Sequence, residues 1–218
     1  ADNSKGGSIS LKGGIGASSS IGGSIRLSGG TGTGGTGGFI DIVSGVGTVS
    51  TSATLKILSR SAGTLGVSGH IVFTTGTTSS GTSGAVKFST GLAKAGKAGS
   101  ITIASGTGNT LNGGDVIISS GTGGTTGGAI VARSGLSSPT TSGAMFLRSK
   151  NAGTLGVSGD LTFVTGTTSS GSSGAIEFYS GQAVGGKAGD LFATVGTATT
   201  GVGADIIMQG GILSDKTG

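Results

Sequence analysis

Apolar residues recur along this chain in pairs that bracket one variable position, as in Gly84-Ala85-Val86-Lys87-Phe88-Ser89-Thr90-Gly91. Aligned on the first apolar position, the pairs start at Ile9, Ile25, Ile40, Leu55, Ile71, Val86, Ile101, Val116, Ile130, Met145, Leu161, Ile176, Leu191 and Ile206. The second position holds Leu11, Leu27, Ile42, Ile57, Phe73, Phe88, Ile103, Ile118, Ala132, Leu147, Phe163, Phe178, Ala193 and Met208. A spacing of two is the period of a strand, so each pair faces inward and the residue between it faces out. Self-similarity at a fixed short period marks a solenoid, whose units bury their apolar faces only by stacking. The pattern predicts an all-β fold: a single parallel β-solenoid of about fourteen coils of about 15 residues, running from about residue 8 to 209 within one domain, 1–218. Its strands would stack about 4.8 Å apart. Narrow solenoids occur in both hands, which leaves handedness open.

The segments between the pairs are built from small residues. Ser or Thr ends each strand and is usually followed by Gly (Gly45, Gly76, Gly91, Gly106, Gly121, Gly166, Gly181), read as a tight corner needing unusual backbone angles. The return paths, such as Thr77-Thr78-Ser79-Ser80, offer only Gly, Ala or Ser to the interior, so a narrow core with large residues against small ones is expected. A longer repeat overlies the short one. Residues 61–106 match 151–196 at an offset of 90, with Gly-Thr-Leu-Gly-Val-Ser-Gly at 63–69 returning at 153–159. A block has been duplicated.

Composition narrows the alternatives. The 52 glycines lack a Gly-X-Y period, which excludes collagen, and the apolar ladder argues against a disordered low-complexity chain. With no cysteine there is neither a disulfide framework nor a thiolate metal site. No apolar run reaches the roughly 18 residues that a membrane span needs. The chain starts at Ala1 without a charged segment leading into an apolar one, and with its Gly/Ser/Thr bias it is expected to be a mature, secreted product. The net charge of +5 is spread over outward positions such as Arg26, Lys56 and Lys87, alternating with Asp41 and Glu177, and reads as a solvated face. The one local cluster is Lys94 with Lys97. Without a basic stripe interleaved with aromatics, nucleic acid is not an expected partner.

Catalysis has little to work with. His70 is the only histidine and no cysteine is present, so no triad or zinc site can be completed. Asp190 and Asp205 hold equivalent positions on adjacent repeats, where strands would bring their carboxylates about 5 Å apart, yet no aromatic subsite surrounds them. Asp115, Asp160 and Asp190 follow glycine, but the repeat of calcium-binding β-rolls is missing. Gly32-Thr33-Gly34-Gly35-Thr36-Gly37 matches a dinucleotide fingerprint without the βαβ setting that gives it meaning. A non-enzyme without cofactor or metal is expected.

The return paths carry the remaining signal. The first residue after the corner is Thr31, Thr77, Thr107, Thr122, Thr167 or Thr197, and nearby, usually two residues on, stands Thr33, Thr48, Ser79, Asn109, Ser169 or Thr199. On a strand such residues point the same way, about 6.8 Å apart, and their equivalents on the next coil lie about 4.8 Å away. A nearly charge-free grid of hydroxyls and methyls would result, although threonine also suits strands for purely structural reasons. A parallel column at Thr36, Thr51, Thr82 and Thr141 is a rival face.

Rows of this kind, with Gly-Thr-Leu-Gly-Val-Ser-Gly and Thr-Gly-Thr-Thr-Ser-Ser-Gly, resemble the repetitive β-solenoid ice-binding (antifreeze) proteins secreted by cold-living green algae. The resemblance covers nearly the whole chain and implies adsorption to an ice crystal through a flat threonine-rich face. Leu92 with Lys94, Leu136 with Ser138, and Gln182 with Val184 interrupt the columns. Two other classes stay open: an extracellular structural or filament-forming solenoid, whose open ends would invite end-to-end self-association, and a polysaccharide-binding β-helix. For the last, Tyr179, the only tyrosine, stands without an evident partner.

Overall fold

The computed structural model describes residues 6–18, 20–49, 51–109, 112–138 and 140–211. The chain divides into two units, Ala1–Val116 and Ile117–Gly218. Both follow the 15-residue period. The chain bends sharply in the middle of each return path, at 33–35, 64–66, 79–81 and 94–96 in the first unit and at 124–126, 154–156, 169–171, 184–186 and 199–201 in the second.

The expected alternation is present. In the first unit Ile71 and Phe73 are 46% and 58% exposed, whereas Val72 between them is 73% exposed. Successive repeats meet at their phenylalanines. Phe73 and Phe88, fifteen residues apart, meet edge to face with ring centroids 6.2 Å apart and planes at 82°. In the second unit Phe163 and Phe178 repeat that geometry at 6.1 Å and 82°. Ile9, the first of the series, is 93% exposed, whereas Ile25 on the following repeat is 52% exposed.

The parallel β-solenoid expected from the pattern is not the observed fold. Among the described residues there is no strand and no helix. The reason lies in the backbone. A parallel solenoid needs runs of N–H···O=C bonds between positions about fifteen residues apart. The bonds formed instead join residues seven to nine apart and close single loops: Gly23 N–H to Gly14 O, Gly38 to Gly30, Ala53 to Gly45, Gly114 to Gly106, Gly128 to Gly121 and Gly143 to Gly135, all at 2.9–3.1 Å. Six repeats are thus loops pinched at their base by one bond each. Glycine-rich backbone loses more conformational freedom on ordering than any other, and single bonds do not offset that along a strand.

The narrow core is also absent. No described residue is buried. The accessible surface is 21959 Å², against about 8,800 Å² for a folded chain of this mass and about 29,000 Å² for an unfolded one.

A contact between side chain and glycine also recurs with the period. The residue four after the first apolar one is usually Ser or Thr and faces the glycine that opens the next repeat. A Cβ added to Gly84, Gly99 or Gly114 in the first unit would meet the side chain of Thr75, Thr90 or Ser105 at 3.4–3.5 Å. In the second unit Gly128 and Gly189 stand against Ser120 and Ser180 at 3.3 and 3.5 Å. At Gly128 an added Cβ would be tight against Ser120, whereas at the others it would make ordinary van der Waals contact. Nor do the corner glycines take the unusual angles expected of them. Positive φ falls at Gly66, Gly81, Gly156, Gly171, Gly185 and Gly201, within or at the end of the bends.

Candidate functional site

The bends position the hydroxyl rows. Thr31, Thr77, Thr107, Thr122, Thr167 and Thr197 each directly follow a glycine and precede the bend of their repeat, while Thr33, Thr48, Ser79, Asn109, Ser169 and Thr199 lie within a bend. All twelve are exposed. The second residue of each pair therefore sits where the chain changes direction, and the 6.8 Å repeat of a straight strand does not describe the pair. Thr36, Thr51, Thr82 and Thr141 are exposed as well and follow the bends.

Which hydroxyls stay available is decided by the bend itself. Thr168 Oγ1 donates to the Ser170 carbonyl at 3.2 Å and accepts from the Ser170 N–H at 3.3 Å, so it closes the turn on its own backbone. Ser137 Oγ and Thr140 Oγ1 share a hydrogen bond at 2.8 Å. Among the described residues, Thr167 and Ser169, on either side of Thr168, have no intrachain side-chain partner. Alternate hydroxyls are thus turned to solvent. In the first unit Gly81 stands in the same relation to Thr78 Oγ1 (3.8 Å from an added Cβ) as Gly171 does to Thr168 Oγ1 (4.0 Å) in the second. The φ angles of those glycines, 124° and 119°, agree.

Among the described residues the charged side chains are exposed. Lys187 Nζ donates to Asp190 Oδ2 at 2.7 Å, which commits one member of the Asp190–Asp205 pair to an ammonium group. Among the described residues no three His, Cys, Asp or Glu side chains gather where a metal could be held. No helix among them is long and apolar enough to cross a membrane.

The outward face differs from its expected polar character in the second unit. The position between the paired apolar residues holds Ser10, Arg26, Asp41, Lys56, Val72, Lys87 and Thr102 in the first unit; in the second Thr162 and Glu177 are polar but Ile117, Val131, Phe146, Phe192 and Ile207 are apolar, and Phe146 is 84% exposed. Directly after the second apolar residue stand Arg133, Arg148 and Tyr179.

Comparison with protein-family models, with curated proteins and with solved structures finds no match to this chain.

Proposed function

We propose that the protein binds ice through its rows of exposed threonine and serine at the bends, without enzymatic activity. The observation that carries this reading is the division of labour at the bend 169–171. Thr168 spends its hydroxyl on the Ser170 backbone, while Thr167 and Ser169 present hydroxyl groups, and in Thr167 also a methyl, to water with no intrachain partner among the described residues. The same bend recurs 90 residues earlier with matching glycine torsions, so equivalent groups are offered in equivalent local geometry. Binding to a lattice requires such repetition, and an uncharged row does not compete with ice for tightly held hydration water.

Thermal hysteresis of T77Y and T167Y decides the matter. Both variants are expected to lose hysteresis and ice shaping with an unchanged circular dichroism spectrum. Full retention in both would dismiss these rows and leave the column at Thr36, Thr51, Thr82 and Thr141 for the same test.

A structural role through self-association is the second reading, favoured by the half-exposed apolar ladder from Ile25 onward. Contiguous exposed apolar surface promotes association between copies. Fibres that form with no effect on ice growth would favour this reading over the first.

A further inference from the structure

A shallow recess of about 300 Å³ in the second unit is lined by Arg148, Ser149, Lys150 and Asn151. We propose that it is an anion site that takes the sulfate or carboxylate groups of an acidic polysaccharide. Every side chain in its lining can donate: a guanidinium fork suited to two oxygens of one oxyanion, an ammonium, an amide and a hydroxyl. Among the described residues neither Arg148 nor Lys150 is in an ion pair, in contrast to Lys187, which Asp190 holds at 2.7 Å. The two cations are two residues apart, the spacing that sends side chains to one side of an alternating chain.

The duplication singles these residues out. Ninety residues earlier the same register positions carry Leu58, Ser59, Arg60 and Ser61. One cation is common to the two registers, and the later one has Arg148 for leucine and Asn151 for serine; of these only Asn151 lies inside the matched block. Arg133, fifteen residues before Arg148, occupies the position where the first copy has Val43. The Phe163–Phe178 pair shows that equivalent side chains of successive repeats can come within about 6 Å in this unit, so the arginine column suits a ligand that runs from repeat to repeat.

The ligand class follows from the spacing of charge and from the aromatics. Arg133, Arg148 and Lys150 are too few to match a phosphate on every nucleotide, but they suit a chain with occasional acidic groups. Phe146 lies two residues before Arg148, and Tyr179, 82% exposed, stands in the same column two repeats on, past Val164, offering flat faces to sugar rings. The inference is independent of ice binding, since none of these residues belongs to the threonine rows.

Binding of fluorescently labelled dextran sulfate, polygalacturonate, neutral dextran and a single-stranded oligonucleotide to the full chain tests it, with R148Q/K150Q beside K94Q/K97Q, which removes equal charge from the first unit. Dextran sulfate or polygalacturonate is expected to bind and neutral dextran not to. R148Q/K150Q should weaken binding at least about tenfold, the scale of a lost charge-assisted hydrogen bond, while K94Q/K97Q changes it less than about twofold. R148K/K150R, which keeps the charge, should retain binding and guards against a folding defect. Failure of the wild type to bind either polyanion, equal losses in the two glutamine variants, or tighter binding of the oligonucleotide would overturn the proposal.

Discussion

A methyl group placed on Gly29 would run into the carbonyl oxygen of Gly38, the residue whose N–H bonds to Gly30 O at 2.9 Å. The two glycine positions are in contact because that bond pinches the repeat. At Gly30, one residue on, an added Cβ meets nothing within 4 Å. G29A should therefore destabilise the first unit by about 1–3 kcal/mol, the range of an overpacking clash that only backbone movement can relieve. G30A should stay within about 0.5 kcal/mol of the parent. Thermal melts of the two variants followed by circular dichroism check this, and equal effects would mean that the pinch is not a stability determinant.

The edge-to-face rings of Phe73 and Phe88 are expected to be coupled. An aromatic pair of this geometry contributes about 0.5–1.5 kcal/mol beyond area burial. Since both rings are more than half exposed, the lower end applies. A double-mutant cycle of F73A, F88A and F73A/F88A in denaturant unfolding should return a coupling of about 0.5 kcal/mol, and zero coupling would show that the rings meet without stabilising the stack.

Charges away from the bends should matter little to ice. K87A and E177A are expected to change thermal hysteresis by less than the scatter between preparations, because single exposed charges contribute at most a fraction of a kcal/mol. T167K, which sets a strongly hydrated ammonium in the row, should abolish it. Comparable losses in K87A and T167K would place the ice-contacting side elsewhere.

The Lys187–Asp190 contact is short, but its side chains are 80% and 47% exposed. Solvent and salt screen such a pair, so K187A should leave the melting temperature of the second unit within about 1 °C of the parent. A larger drop that added salt reproduces in the parent would show the bond to be structural.

Association follows from the exposed ladder. Sedimentation velocity across a concentration series should show the chain shifting to larger species as concentration rises, with the shift reduced in I71S/V86S. A single monomeric species at every concentration would remove the second functional reading.

Much of the local organisation was legible in the residues. The two-residue alternation of Ile71, Val72 and Phe73, the stacking of Phe73 on Phe88, and the duplication that gives Gly81 and Gly171 nearly equal torsions all follow from side-chain pattern and period. Such features depend on a few neighbouring residues and one repeat length. The backbone partners were decided only in three dimensions: Gly114 bonds to Gly106, eight residues away, instead of to a position one repeat back, and no strand forms. Alternation specifies where side chains point, but a glycine-rich backbone has too many accessible paths for that pattern to choose its hydrogen-bond partners. For the same reason only the tertiary structure showed that Gly84 lies beside Thr75, that Thr168 closes its bend while Thr167 faces water, and that Arg148 and Lys150 share a recess.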